Sequence, residues 1–113
     1  MSGITTHVLD TSKGRPAVGV IIVLEFLTDN GWRELGGSTT NNDGRALDLL
    51  PPGHQLEAGI YRLYFDTQSY YEALQQKCFY PNVPVTFEIE DTSQHYHVPL
   101  LLSPFGYSTY RGS

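Results

Sequence analysis

The sequence holds a single cysteine, Cys78, among 113 residues, so no disulfide can close within the chain and a reducing compartment is expected. No apolar run approaches the roughly 20 residues needed to span a bilayer, which argues against a membrane partner. The opening Met1-Ser2-Gly3-Ile4-Thr5-Thr6-His7 offers neither a basic start nor an apolar signal stretch, and the expected location is the cytoplasm. Positive charge is scarce. Lys13 and Lys77 are the only lysines, the five arginines stand singly, and 12 acidic residues against seven Lys and Arg leave a net charge of -5. A surface that tracks nucleic-acid phosphates is excluded as an expectation, and any anion site must use one or two individual arginines. There is also no repeat, no low-complexity tract and no linker, so residues 1–113 are expected to form a single domain.

What the chain does have is a regular alternation of short strand-like runs and turn signals, spaced as in an antiparallel all-β domain. Strands are expected over residues 4–10, 18–27 and 32–39, in a short stretch beginning at Arg45, and over residues 60–66, 85–90, 95–102 and 107–111. Thr28-Asp29-Asn30-Gly31 and Asn41-Asn42-Asp43-Gly44 read as turns. One helix is expected over residues 68–77, capped by Asp66 or Thr67 and supported by the capping-box spacing of Ser69 and Glu72. Eight strands and one short helix predict a two-sheet sandwich.

Val98, Pro99, Leu100, Leu101 and Leu102 leave that strand no polar face. One sandwich core covers one side of a sheet, so the other side needs a second subunit or a loop of the same chain. The subunit reading predicts a homo-oligomer.

Four histidines and one arginine bear on chemistry. His95 and His97 share a strand face roughly 7 Å apart, and His7 lies mid-strand where a simple core would place an aliphatic residue. A lone strand histidine is ordinarily structural; three on two strands suggest a joint site. His-x-His with a distant third histidine fits a three-histidine zinc hydrolase, although no acidic residue stands beside them in sequence to orient a ligand. It fits equally a metal-free site in which neutral imidazoles take a proton from water and return one to a leaving nitrogen. Arg45, following Gly44, reads either as an exposed turn residue or as an anion anchor that also disfavours imidazolium nearby.

The terminus Tyr107-Ser108-Thr109-Tyr110-Arg111-Gly112-Ser113 is rich in aromatic and strand-forming residues where chains usually fray. It reads as an edge strand with a short tail, or as a segment folded over a site with the Ser113 hydroxyl or carboxylate inside it. Serine-nucleophile chemistry has little support, because no Gly-x-Ser-x-Gly turn is present. Cys78 reads as a packed thiol and His54 as a loop residue.

Taken together, Ile4-Thr5-Thr6-His7-Val8-Leu9-Asp10, Gly14-Arg15-Pro16-Ala17, Asn41-Asn42-Asp43-Gly44-Arg45, His97-Val98-Pro99-Leu100-Leu101-Leu102-Ser103-Pro104 and Tyr110-Arg111-Gly112-Ser113 resemble the transthyretin-related 5-hydroxyisourate hydrolases over nearly the whole chain. The resemblance implies a transthyretin-like sandwich, a homotetramer built as a dimer of dimers, and active sites at the dimer-dimer interface. It implies hydrolytic opening of 5-hydroxyisourate in urate degradation, with no cofactor and no metal. The implied catalytic positions are His7, Arg45, His97 and Ser113, with His7, Arg45, Tyr110, Arg111 and Gly112 binding substrate. His95 is not among them. The rival from another class is a transthyretin-like carrier that binds a small molecule without catalysis.

Overall fold

The protein was analysed as a computed structural model that describes residues 3–112. Its strands are β1 (Ile4–Asp10), β2 (Arg15–Pro16), β3 (Ile21–Thr28), β4 (Gly31–Thr39), β5 (Arg45–Ala46), β6 (Gly59–Asp66), β7 (Val83–Ile89), β8 (Tyr96–Ser103) and β9 (Gly106–Thr109), with one helix, α1 (Thr67–Ala73), between β6 and β7. They form two sheets. One runs β2-β1-β8-β9 with β5 added on β1, and the other runs β4-β3-β6-β7. The expected all-β sandwich with one short helix is what the chain forms, with the two-residue β2 added to the eight expected strands.

Alternation along the strands builds the core. Ile4, Thr6, Val8 and Asp10 of β1 and Tyr96, Val98, Leu100 and Leu102 of β8 turn inward, against Ile22 and Leu24 of β3 and Tyr61, Leu63 and Phe65 of β6. These side chains are all nearly or fully buried, which is the main driving force for closing the two sheets on each other. The opposite side of the first sheet carries Thr5, His7 and Leu9 from β1 and His97, Pro99 and Leu101 from β8.

An antiparallel pattern was expected throughout, yet β1 and β8 pair in parallel, Ile4 opposite Tyr96 through Asp10 opposite Leu102. No hairpin joins these strands, since most of the chain lies between them, so connection length imposes no antiparallel constraint. The unbroken apolar run of β8 is the composition expected of a strand covered on both faces. Part of that cover is supplied by the C-terminal segment, where Gly112 lies over Pro99: a Cβ on it would come within 3.3 Å of Pro99 Cγ.

Three boundaries moved for identifiable reasons. β3 begins at Ile21 rather than residue 18, because the preceding segment is bound by Thr40: its Oγ1 accepts from the Val20 N–H at 2.8 Å and donates to the Ala17 carbonyl at 2.7 Å. The helix is capped by Asp66, whose carboxylate accepts the Ser69 N–H at 3.1 Å, and it stops at Ala73 because Gln75 turns to φ 55°. β9 ends at Thr109, and Gly112 rejoins the sheet through one bridge to His97.

Asp10 closes the far end of β1. Fully buried, it accepts from the Ser12 N–H and hydroxyl at 3.1 and 2.6 Å and from the Tyr70 hydroxyl at 2.8 Å, tying the strand to α1. Burial first, then the Asp10 carboxylate, pushes the Tyr70 phenol well above its ordinary range, so it stays a donor.

Candidate active site

The parallel register places Thr5 opposite His97 and His7 opposite Pro99, while the β1–β5 pairing sets Arg45 opposite His7. His7 and His97 are therefore diagonal neighbours on adjacent strands, facing the same way, with Arg45 flanking His7 on the other side. Both histidines are half-buried and Arg45 is exposed.

Arg45 is aimed by its turn. Asn41 accepts the Asp43 and Arg45 N–H groups on its side-chain oxygen at 2.9 and 3.0 Å, its carbonyl accepts the Gly44 N–H at 2.9 Å, and its own N–H reaches the Arg45 carbonyl at 3.0 Å. Gly44 then crosses β1 closely, its carbonyl accepting the Val8 N–H at 2.7 Å at φ +75°, and a Cβ there would lie 2.5 Å from the Val8 carbonyl oxygen. Only glycine fits that crossing. Among the described residues the one ion pair is Arg62 with Glu25, and the Arg45 guanidinium has no carboxylate partner. Among the described residues nothing neutralises its charge, which suits an anionic ligand.

His97 is fixed through one ring nitrogen. Its Nδ1 lies 2.8 Å from the Thr5 hydroxyl, leaving Nε2 without a hydrogen-bond partner among the described residues. Burial first, then the positive charge of Arg45, then His7 and His95, hold His97 below its ordinary pKa of 6.5. A neutral imidazole with one fixed and one open nitrogen suits a proton acceptor.

The C-terminal segment reaches this place by its backbone. The Gly112 N–H donates to the His97 carbonyl at 2.8 Å. Arg111 is directed elsewhere: its guanidinium stacks 4.5 Å from the Tyr96 ring centroid and donates to the Gln94 side-chain oxygen at 2.6 Å, on the side of β8 opposite to His97. Tyr110 is exposed at 56%. The expected role of Ser113 lies outside the described residues. His54 sits far along the chain in a cleft of about 580 Å³ with Leu47, Asp48 and Pro52, apart from the other histidines. Among the described residues no three His, Cys, Asp or Glu side chains are grouped to hold a metal ion.

The expected grouping was His7, Arg45, His97 and residues 110–113; the fold sets His7, Arg45, His97 and Gly112 beside one another, directs Arg111 to Tyr96 and Gln94, and leaves Tyr110 exposed. Sequence reasoning had passed over Thr5, which is 4% exposed and bonded to two imidazoles. The only signal for it was its place two residues before His7 on the same strand face.

Comparison with known proteins places the chain. It is 50% identical to the 5-hydroxyisourate hydrolase of Mus musculus, over 99% of this chain and 96% of that protein. Its structure superposes on that of Klebsiella pneumoniae 5-hydroxyisourate hydrolase with a TM-score of 0.84 and 33% identity, covering 97% of this chain and 92% of the other. It superposes on sea bream transthyretin in complex with thyroxine with a TM-score of 0.90 and 31% identity, covering 98% and 95%. Residues 4–112 match the profile of the HIUase/Transthyretin family, and the chain belongs to that family.

Proposed function

We propose that this protein hydrolyses 5-hydroxyisourate to 2-oxo-4-hydroxy-4-carboxy-5-ureidoimidazoline, a step of urate degradation, through metal-free attack of water assisted by His7 and His97. The observation that carries the reading is the His97 imidazole, kept neutral by burial and by Arg45, with Nδ1 fixed and Nε2 open toward the face that His7 and Arg45 share. The sandwich alone does not choose between hydrolase and carrier, since it fits a transthyretin in complex with thyroxine as well as a hydrolase. Titratable groups on the shared face, and the higher identity to hydrolases, favour catalysis.

In the proposed reaction one imidazole takes a proton as the water oxygen bonds to C6. Arg45 stabilises the charge that develops on the carbonyl oxygen. Collapse of the tetrahedral species breaks the C6–N1 bond, N1 receives a proton from the same imidazole ring, and the product carboxylic acid ionises. Tyr110 and Gly112 form the wall over the substrate, with Arg111 fastening that wall to Tyr96 and Gln94. The working unit is proposed as a cytoplasmic, single-domain chain assembled into a homotetramer, a dimer of dimers, whose partner subunits cover the half-buried Leu9 and Leu101 beside the histidines.

The direct test generates 5-hydroxyisourate in situ from urate and follows its decay with the intact protein and with a form lacking residues 111–113. Fast decay with the intact chain and loss in the shortened one is expected. Equal decay in both would remove the terminus from the site, and no acceleration by the intact chain would favour a carrier.

A further inference from the structure

The proposed reaction does not use the second partner of Thr5. The Thr5 Oγ1 stands 2.8 Å from His97 Nδ1 and also 2.9 Å from Nε2 of His95, an exposed residue just before β8 that the family resemblance leaves out of the site. A hydroxyl carries a single hydrogen, so Thr5 donates to one imidazole and accepts from the other. Two arrangements result. In the first, His97 Nδ1–H donates to Thr5 and Thr5 donates to His95 Nε2, which leaves a lone pair on His97 Nε2. In the second, His95 Nε2–H donates to Thr5 and Thr5 donates to His97 Nδ1, which requires the His97 hydrogen to sit on Nε2.

We propose that Thr5 is a positioning residue that sets the tautomer of His97 and, with His95, forms a proton relay between His97 and solvent. The relay geometry stands on these two contacts; its catalytic use rests on the proposed hydrolysis. Starting from the first arrangement, His97 Nε2 takes the proton of the attacking water. The Nδ1 proton then passes to Thr5 as the Thr5 proton passes to His95 Nε2, and exposed His95 releases its Nδ1 proton to solvent. His97 is left neutral with its hydrogen on Nε2. As Nε2 then gives that hydrogen to the leaving N1, Nδ1 recovers one from Thr5, Thr5 recovers one from His95 Nε2, and His95 Nδ1 takes one from solvent. One proton leaves and one enters, and the first arrangement is restored.

The fold explains why the bridge forms. Thr5 and His97 are directly paired in the parallel β1–β8 ladder, and their side chains leave the sheet on the same side. His95, two residues before His97, reaches the same hydroxyl from the strand's entrance. Thr5 itself is almost fully buried, so bulk water does not compete for its hydrogen.

The test combines a readout without substrate and one with it. In the full-length, ¹⁵N-labelled protein, long-range proton–nitrogen correlation spectra report which ring nitrogen of His97 carries the hydrogen. Wild type is expected to show it on Nδ1; Thr5→Val, nearly isosteric and equally suited to a strand, moves it to Nε2; Thr5→Ser keeps the wild-type pattern. In turnover, Thr5→Val lowers kcat on the order of 10- to 100-fold with KM changed by no more than about twofold, and Thr5→Ser restores it. His95→Ala lowers kcat in dilute buffer and regains it when imidazole is added. An unchanged His97 tautomer in Thr5→Val, or a His95→Ala loss that imidazole does not repair, overturns the relay. A tautomer shift in a protein that never accelerates 5-hydroxyisourate decay sinks the hydrolase reading instead and leaves the bridge standing.

Discussion

Gly112 lies on the imidazole of His97: a Cβ added to it would come within 2.7 Å of His97 Cδ2 and 3.3 Å of Pro99 Cγ. The close approach sits one atom from the ring nitrogen to which the proton-accepting role is assigned. Gly112→Ala must therefore either tilt the His97 ring or lift the C-terminal segment away from β8. Turnover is expected to fall about tenfold or more, with the midpoint of thermal unfolding nearly unchanged because the segment is at the sheet's rim. Wild-type rates in this variant would show that neither ring nor terminus needs its present place.

Removing either imidazole tests the division of labour. His7→Ala and His97→Ala are each expected to lower kcat on the order of 100-fold or more, the usual scale for general acid-base groups, with the assembly unchanged by sedimentation. If both variants turn over at nearly the wild-type rate, the histidine mechanism is discarded. A chelator is expected to leave the wild-type rate intact; its loss, with metal found in the purified protein, would favour the zinc alternative.

The pH dependence follows from the lowered pKa of His97. Because the neutral imidazole is the active form, activity falls on the acid side along a limb lying below pH 6.5 and is flat above it. Between the folded pKa and 6.5 the unfolded chain binds more protons than the folded one, so His97 makes stability fall as pH drops through that window. The groups acting on it are Arg45, His7 and His95, all of which oppose its protonation, and burial outweighs each of them. Arg45→Gln should accordingly raise the His97 pKa, followed by NMR titration of its ring protons, but only part of the way to 6.5. A downward or absent shift would mean that the guanidinium does not face the ring.

Two neighbouring tyrosines should respond oppositely to loss of their hydroxyls. Tyr70 donates to the buried Asp10 carboxylate, whereas the hydroxyl of fully buried Tyr71 has no partner among the described residues. Tyr70→Phe is expected to cost about 1.5–3 kcal/mol, the scale of a hydrogen bond to a charged group, and Tyr71→Phe to be neutral or to stabilise by about 1 kcal/mol. Urea unfolding of both variants would read the difference, and equal losses would contradict the hydrogen-bond assignment.

Much of this was legible before the fold. The turn chemistry at Asn41 and Gly44 announced that Arg45 would be held at a strand start, and the apolar residues 98–102 called for cover on a second face of β8, of which the C-terminal segment gives a part at Pro99. The alternation in β1 put His7 on a face with Thr5. What local pattern could not supply was register. Thr5 meets His95 and His97 only because β1 and β8 run parallel, and a pairing between residues 90 and 92 apart leaves no trace in either strand's own periodicity. The destination of Arg111 was hidden for the same reason, since Tyr96 and Gln94 become its neighbours only once the terminus has folded back on β8.

The parallel pairing of β1 with β8 also governs when the site comes into being. Closing a loop of about ninety residues has an entropic cost that neighbouring hairpins such as β3–β4 avoid, so the second sheet can form from local contacts while the first waits for its long-range partner. Thr5, His7, Arg45, His97 and Gly112 have no common neighbourhood until that closure. Recovery of activity on refolding can therefore come no earlier than that closure, whereas the signal of β3, β4, β6 and β7 can precede it.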